Sequence, residues 1–300
     1  MFCSRNSIIA LLFSTTSYST SRFASTAAAS GFLITNKNLA SIQRHSAFMK
    51  MSSSSSTSDT SIADALEQVR ARVKDASLSV GKEENDVRLV AVSKTKPVEL
   101  LMECYKSGQR RFGENYAQEL TSKAETMPDD VEWHFIGSLQ SNKAAPLVKK
   151  VGTRLKIVET VNSKKLADKL DRAVVEVRKQ LDNSVDYKLG IYIQVNTSME
   201  ESKSGVEAKD AASLAKDIAE SCPHLSLEGL MTIGAPGDFE CFDRLVDCRK
   251  EVAKSLGVVE EDLELSMGMS GDFEEAIRRG ATNVRVGSTI FGARDYSNLK

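Results

Sequence analysis

Short apolar runs alternate with longer amphipathic stretches from about residue 60 to the end of this 300-residue chain. Eight runs have the length and composition of buried strands, and the stretches between them repeat apolar residues at helical spacing. Strands that alternate with helices form parallel sheets with right-handed crossovers. Eight such units predict a single-domain α/β protein, a closed (β/α)8 TIM barrel, because an open sheet usually has fewer strands and leaves edges to protect. The predicted strands are 89–93, 111–114, 133–136, 157–161, 189–195, 227–233, 263–267 and 283–291.

The two ends of this repeat predict how the barrel wall is completed. Apolar residues recur at helical spacing over residues 62–73, after Ser61 as a candidate N-cap, so a helix precedes the first strand. Few residues follow the eighth run, which leaves no room for an eighth trailing helix. We therefore expect the opening helix to fill that place and to bring the two ends of the barrel together.

The first 58 residues differ in composition from the rest of the chain. They contain five basic side chains, no acidic one and 22 serines and threonines, which is typical of an organellar transit peptide. The remaining 242 residues carry 35 basic and 41 acidic side chains. A mildly acidic body argues against a nucleic-acid partner. We predict a disordered leader or transit peptide over 1–58 and the barrel over 59–300.

The location of the protein depends on how this leader is used. A transit peptide directs the chain to a mitochondrion or a plastid, whereas translation from Met51 would leave it in the cytoplasm. The apolar run at residues 8–13 is too short to span a bilayer, so no membrane partner is expected. The five cysteines and three histidines lack metal-site spacing, which indicates idle thiols in a reducing compartment.

Active groups of parallel barrels gather at the carboxyl ends of the strands. Lys94 directly follows the first predicted strand, where a partly desolvated lysine can form a Schiff base with an aldehyde. The alternative is a solvated charge at the rim, and we assign that role to Lys96. Neither lysine decides the chemistry alone.

The last two strands predict a phosphate site. Arg285 and Gly287 alternate with valines and face the barrel interior, and Ser288 follows them. Ser270 precedes a helix start in the loop after strand seven, and barrels commonly bind phosphate in the loops after strands seven and eight. Two alternatives stay open: Ser270 caps a helix, and Arg285 pairs with a barrel carboxylate such as Glu228 or Glu159.

A lysine on strand one, a phosphate site and an inward arginine together meet the needs of pyridoxal 5′-phosphate. The lysine would form an imine with the aldehyde, and the two loops would hold the phosphate. The arginine would face the ring nitrogen, and its positive charge disfavours a protonated pyridine. The residues alone therefore predict this cofactor.

Four longer motifs resemble the pyridoxal phosphate homeostasis protein family. They are AVSKTKP at residues 91–97, RFGENY at 111–116, WHFIGSLQSNK at 133–143 and RVGSTIFGARDY at 285–296. The resemblance extends from about residue 62 to residue 299. It implies a barrel like the N-terminal domain of alanine racemase and a protein that binds and buffers the cofactor without established catalytic turnover.

The same resemblance assigns roles to individual residues. It implies that Lys94 carries the cofactor as a covalent imine and that Arg285 meets the ring nitrogen. It places Asn115 near the ring hydroxyl and Met231 along the barrel wall. The residues that it assigns to the phosphate are Ser270, Gly287 and Ser288.

Three functions remain open at this point. A non-enzymatic carrier is favoured, with apo-enzymes as recipients of the cofactor and a monomeric state expected. A small racemase is the main alternative, but alanine racemases add a C-terminal β-domain with a catalytic tyrosine, and the sequence ends soon after the last motif. Tyr116 and His134 could in principle serve as the catalytic base instead. We interpret Tyr116 as a half-buried residue at a helix start and His134 as a hydrogen-bonded strand residue. The third candidate is a phosphate-binding barrel without the imine.

Overall fold

The structure is a computed structural model, and it describes residues 61–83, 85–181, 186–198, 204–235 and 237–293. The predicted leader over 1–58 lies outside these residues. The boundary predicted at residue 59 therefore stays a prediction.

Eight parallel strands form a closed barrel in the described part of the chain, which confirms the predicted fold. Each strand pairs with its neighbours in parallel register, and β4 pairs with β5 to close the ring. A two-residue strand, β6, pairs in parallel with the carboxyl end of β5. The barrel strands are β1 Arg88–Val92, β2 Arg111–Glu114, β3 Glu132–Phe135, β4 Leu155–Val161, β5 Leu189–Asn196, β7 Leu225–Met231, β8 Glu264–Ser266 and β9 Asn283–Val286, and β6 is Val206–Glu207.

Helices surround the barrel, and they begin and end at the capping and helix-breaking residues that the sequence predicts. The Ser163 hydroxyl accepts from the N–H of Leu166 at 3.4 Å and caps α5, as expected. Pro97 occupies the N-cap of α2, and Gly108 follows that helix with a φ of +85°. The described helices are α1 Ile62–Ser79, α2 Val98–Lys106, α3 Ala117–Thr126, α4 Ser141–Val151, α5 Lys164–Arg178, α6 Ala208–Ser221, α7 Glu240–Leu256, α8 Phe273–Arg278 and α9 Ser288–Phe291, with short 3-10 helices at Gly152–Arg154 and Glu260–Asp262.

The opening helix fills the predicted gap in the barrel wall. Ser61 caps α1 by accepting from Asp64 N at 3.1 Å, and the buried face of the helix contains Leu66, Val69 and Val73. This helix packs against α2 on one side and against α8 and α9 on the other. Its apolar face therefore covers the place where the first and last strands pair.

The eighth predicted strand is too long at its carboxyl end. The strand stops at Val286, and Ser288–Phe291 form the one-turn helix α9. The chain turns at Gly287. Its backbone N–H donates a hydrogen bond to the Ser270 hydroxyl oxygen at 3.1 Å and not to a neighbouring strand. The apolar residues Ile290 and Phe291 are buried, so hydrophobicity alone did not distinguish a strand from a helical turn.

The barrel has an apolar shell and a polar interior. The main core lies between the strands and the helices, where the side chains of both are apolar and buried. Inside the barrel, Ile157, Tyr192 and Met231 form a small separate cluster. Above and around it lie buried polar groups, among them His134, Glu159, Ser266, Asn283 and Arg285. Polar side chains are costly to bury without hydrogen-bond partners, so each of these groups needs a partner in the protein or in a ligand.

Within the described ranges, no helix has both the length and the apolar composition needed to cross a bilayer. The same residues contain no group of three or more His, Cys, Asp or Glu side chains arranged to hold a metal ion.

Candidate functional site

A cavity of about 390 Å³ opens at the carboxyl ends of the strands. The first two strands supply one side of it, and the loops after β8 and β9 supply the other. Six of the seven predicted site residues line this cavity, so residues far apart in the sequence meet there. Its lining residues are Val92, Lys94, Lys96, Asn115, Ile136, Ile233, Met269, Ser270, Gly271, Arg285, Gly287, Ser288 and Gly292.

Two lysines from one loop line the cavity, and their surroundings differ. Lys94 is half-buried and follows the buried residues Val92 and Ser93. Lys96 donates from Nζ to the carbonyl oxygen of Ala293 at 2.7 Å, which ties this loop to the segment after α9. The structure therefore gives Lys96 a bond at the rim, in line with the role that the sequence predicted for it.

The loops after β8 and β9 meet through Ser270. Its hydroxyl oxygen accepts from the backbone N–H of Gly287 at 3.1 Å and of Thr289 at 3.4 Å. Ser270 therefore caps the start of α9 rather than the helix α8 that follows it in sequence. We call Ser270, Gly287 and Ser288 the phosphate cup, because backbone N–H groups and hydroxyls gathered at a helix start suit a phosphate.

The absence of a side chain at Gly287 lets the phosphate cup approach the first strand. A Cβ atom at this position would lie 3.1 Å from the carbonyl oxygen of Val92 and 3.3 Å from its Cβ. A larger residue would therefore require Val92 or the loop to shift by a few tenths of an ångström. This glycine therefore keeps the phosphate cup close to the loop that carries Lys94.

Arg285 is 4% exposed and lies inside the barrel at the base of the cavity. It donates from Nη1 to the Ser266 hydroxyl at 2.5 Å and from Nη2 to the Thr232 carbonyl oxygen at 2.8 Å. Its Nη1 lies 3.8 Å from Oε2 of Glu159. The carboxylate pairing left open by the sequence is thus present with Glu159, although Arg285 also lines the cavity. Burial lowers the pKa of this guanidinium, yet arginine stays protonated in proteins.

Glu159 organises the polar groups beneath Arg285. Its carboxylate accepts from His134 Nδ1 at 2.6 Å, from the Ser266 hydroxyl at 2.5 Å and from Asn283 Nδ2 at 3.3 Å. Burial alone would raise the pKa of Glu159, but the His134 hydrogen bond and the Arg285 charge outweigh it and hold that pKa below its usual range. A negative charge therefore stays fixed near the arginine, and His134 is the hydrogen-bonded strand residue that the sequence predicted.

Asn115 lines the cavity and has an unused acceptor. Its Oδ1 atom is buried and has no hydrogen-bond partner among the described residues. The backbone of Asn115 is held by the loop after β3, where Gly137 lies so close that an added Cβ would be 1.9 Å from the Asn115 carbonyl oxygen. A buried acceptor without a partner, on a residue that lines a cavity, is suited to a ligand that supplies a donor.

Met231 is placed away from the cavity. It is fully buried and packs with Ile157 and Tyr192 in the inner cluster. Its predicted contact with the cofactor stays a prediction. Tyr116, interpreted from the sequence as half-buried, is instead 58% exposed at the N-cap of α3, where the chain enters the helix at the barrel surface.

Several residues around the cavity were missed by sequence reasoning. Ile136, Ile233 and Met269 line it, and each lies just beyond the end of a strand. Ser266 was also missed, although a serine inside a short strand, in register with Met231, is a usable signal of an inward polar residue. The apolar residues offered no such signal, because they look like ordinary strand ends.

The described cysteines take no part in this chemistry. All four described cysteines are buried and none forms a disulfide: Cys104, Cys222, Cys241 and Cys248. Burial raises the pKa of Cys104 to about 12 and that of Cys241 and Cys248 to about 11. Their thiols are therefore protonated and inert at neutral pH, as the sequence analysis expected.

The fold and the cavity define the class of the protein. It is a (β/α)8 barrel of the alanine racemase type, and residues 65–295 match the family described as alanine racemase, N-terminal domain. The crystal structure of alanine racemase from Corynebacterium glutamicum covers 78% of this chain and 63% of its own, with a TM-score of 0.53 and 14% identity. At that identity the likeness concerns the fold alone.

Much closer relatives identify the family within this class. The pyridoxal phosphate homeostasis protein of Mus musculus is 42% identical over 259 residues, which span 81% of this chain and 90% of the relative. PipY of Synechococcus elongatus, solved with pyridoxal phosphate bound, is 30% identical and covers 77% of this chain and 100% of its own, with a TM-score of 0.60. The chain belongs to the pyridoxal phosphate homeostasis protein family, as its motifs predicted.

Proposed function

We propose that this chain binds pyridoxal 5′-phosphate in the cavity at the barrel mouth and buffers and carries it in vitamin B6 homeostasis. The observation that carries the proposal is the convergence of Lys94, Arg285, Asn115 and the phosphate cup on one cavity. A relative of the same fold, PipY, is known with this cofactor bound. The curated relatives from Mus musculus and Bos taurus are named pyridoxal phosphate homeostasis proteins.

The residues present fit the chemistry of this ligand. A phosphate ester needs N–H and hydroxyl donors, which the phosphate cup offers, and the ring hydroxyl needs an acceptor such as the unpartnered Asn115 Oδ1. The guanidinium of Arg285 can donate to an unprotonated ring nitrogen. With Glu159 and His134 beneath it, Arg285 keeps its charge and position.

The proposed attachment is a Schiff base with Lys94. The neutral Lys94 amine adds to the aldehyde carbon, a C=N bond forms, and the aldehyde oxygen leaves as water with the two amine hydrogens. Lys96 lies in the same cavity but its Nζ donates to the Ala293 carbonyl oxygen. We assign the linkage to Lys94, which is half-buried in the wall of the same cavity just after β1.

Borohydride reduction tests the linkage directly. Reduction of the loaded protein followed by peptide mass spectrometry should find the pyridoxyl adduct on Lys94. The Lys96→Ala variant is the matched control, because it removes the neighbouring lysine of the same loop, and its adduct should also lie on Lys94. An adduct on Lys96, or none, would overturn this assignment.

Catalysis of amino-acid racemisation is the second function to test. The distant alanine racemases support it only through the shared fold. Holoprotein incubated with single enantiomers of common amino acids should leave them unracemised. Racemisation that disappears in Lys94→Ala would show that the protein is an enzyme and not a carrier.

We propose apo-enzymes that use pyridoxal phosphate as recipients and a monomer as the working state. Loaded protein mixed with an apo-enzyme should restore its activity faster than release of free cofactor allows. A rate equal to free release would exclude direct transfer. Analytical ultracentrifugation of the loaded protein should give the mass of one chain, and a dimer mass would contradict the monomer.

We propose that the leader is a targeting signal, which its serine-rich and acid-free composition supports. Import would place the protein in a mitochondrion or a plastid, whereas a start at Met51 would leave it in the cytoplasm. Mass spectrometry of the protein from its source should find a mature N-terminus inside the leader or at Met51. An intact N-terminus at Met1 would argue against both.

A further inference from the structure

The loop that carries Lys94 has an unusual backbone. Among the described residues, Thr95 is the one non-glycine residue with a positive φ, +62°. The left-handed region is unfavourable for side chains branched at Cβ, so threonine occupies it only when the surroundings hold it there. The Lys94 side chain starts one residue earlier, and its direction depends on this turn.

A buried ion cluster holds the backbone on both sides of Lys94. We call Glu114, Glu119 and Lys123 the ion triad. Glu119 Oε1 accepts from the backbone N–H of Thr95 at 2.7 Å. Lys123 Nζ donates to the carbonyl oxygen of Ser93 at 2.7 Å. The backbone groups immediately before and after Lys94 are thus each bonded to one member of the ion triad.

The members of the ion triad also hold one another. Lys123 Nζ lies 2.7 Å from Glu114 Oε1 and 2.6 Å from Glu119 Oε1, and its side chain is 6% exposed. The Ser93 hydroxyl donates to Glu114 Oε1 at 2.7 Å. A buried lysine between two carboxylates fixes geometry well, because charge-assisted hydrogen bonds are short and directional.

None of the three ion-triad residues lines the cavity. They come from β2 and α3, whereas Lys94 follows β1, so they reach the loop from behind. The cluster therefore has no contact with a ligand and acts through the backbone of residues 93–95.

We propose that Glu119 and Lys123 are positioning residues that hold Thr95 in the left-handed conformation and thereby aim Lys94 at the cofactor aldehyde. This proposal rests on the proposed function, in which Lys94 forms the Schiff base. It predicts a defect confined to covalent attachment, because the phosphate cup and Arg285 are built from other strands.

Two ligands separate attachment from binding. Pyridoxal 5′-phosphate reports imine formation through borohydride fixation of Lys94. Pyridoxine 5′-phosphate carries the same ring and phosphate but has no aldehyde, so its affinity reports the rest of the site. In Glu119→Ala we expect fixation at limiting ligand to fall about tenfold. The affinity for pyridoxine 5′-phosphate should change less than about twofold.

A second substitution tests the left-handed backbone itself. Asparagine adopts positive φ far more readily than threonine. Adding Thr95→Asn to Glu119→Ala should restore most of the lost fixation without restoring the ion pair. Lys123→Met should resemble Glu119→Ala, and if it does not fold, the Glu119 and Thr95 variants still decide the question.

The control is an ion pair with the same spacing elsewhere. Lys216 and Glu220 form an exposed i,i+4 pair on α6, and Glu220→Ala should leave both readouts unchanged. Normal fixation in Glu119→Ala, an equal fall for both ligands, or no rescue by Thr95→Asn would each overturn the positioning role. If the unaltered chain itself shows no adduct on Lys94, the proposed function fails first and the positioning role fails with it.

Discussion

The two sides of the cavity are built on different principles. On one side, the loop with Lys94 is held by the buried residues Glu114 and Lys123 together with the partly exposed Glu119. On the other, the phosphate cup is held by neutral groups, since the Ser270 hydroxyl accepts from two backbone N–H groups. In the proposed function, the first side directs a reactive amine, and the second receives an anion.

This difference predicts how each side responds to change. A buried ion cluster is strongly coupled, so loss or protonation of one member disturbs the others. Neutral hydrogen bonds each contribute about 1 kcal/mol, so the phosphate cup should lose affinity in small steps. The four predictions below test that contrast.

Removal of the reactive amine should have the largest effect. Lys94→Ala should abolish borohydride fixation and weaken retention of pyridoxal 5′-phosphate about hundredfold, since only the non-covalent contacts of the phosphate cup, Arg285 and Asn115 remain. Equilibrium dialysis measures the residual affinity. Retention within about threefold of the unaltered protein would show that the charged side contributes little to binding.

The charged side should also make stability depend on pH. Burial raises the pKa of Glu114 to about 7, although Lys123 opposes that shift, and its Oε2 has no partner among the described residues. Because the pKa is higher in the folded state, the resulting stability is present below the unfolded pKa and is lost as pH rises through about 7.

Urea unfolding of the unloaded protein measures this loss. The unfolding free energy of the unaltered protein should fall between about pH 5 and pH 8. That fall should be about 2 kcal/mol larger than the fall in Glu114→Gln over the same range. Glu125 is exposed on α3, and Glu125→Gln should keep the profile of the unaltered protein. Parallel profiles for all three proteins would contradict a titrating Glu114.

Arg285 lies between the two sides and should have an intermediate effect. Arg285→Gln should weaken retention about tenfold, because a charged donor to the ring nitrogen is lost. The fold should remain largely intact, since Glu159 keeps its bonds from His134, Ser266 and Asn283. Dialysis and far-UV circular dichroism measure the two effects, and an unchanged affinity would exclude the ring contact.

The phosphate cup should give the smallest effect. Ser270→Ala removes one neutral acceptor and should weaken pyridoxine 5′-phosphate binding about threefold, with fixation of Lys94 at saturating cofactor unchanged. Isothermal titration calorimetry measures the affinity. A loss of tenfold or more, or a failure of fixation, would show that the two sides are coupled.

Most of the fold could be predicted because its signals are local. The eight apolar runs, the Ser61 and Ser163 caps and the glycine after α2 each depend on neighbouring residues. The error at the end of the eighth run has a physical reason. Whether Ile290 and Phe291 extend a strand or form a turn of helix depends on Ser270, twenty residues away.

The site was predicted where one residue type implies one chemistry. Lys94, Arg285 and Ser270 carry distinctive groups, and the structure gathers them at one cavity. The ion triad escaped notice, although the i,i+4 spacing of Glu119 and Lys123 was visible. Such pairs usually lie on exposed helix faces, and only the packing of α3 against the loop after β1 buries this one.

The cavity lies across the junction of the barrel's first and last strands. β1 and β9 pair directly, with Arg88 opposite Asn283 and Ala91 opposite Val286. A ligand that is bonded to Lys94 and seated in the phosphate cup therefore clasps both edges of this junction. A ligand that binds only the folded state raises the unfolding free energy by RT ln(1 + [L]/Kd), so the stabilisation grows with the free ligand concentration. We expect the bound cofactor to slow the separation of β1 from β9. The supply of cofactor would then determine how long the folded protein persists.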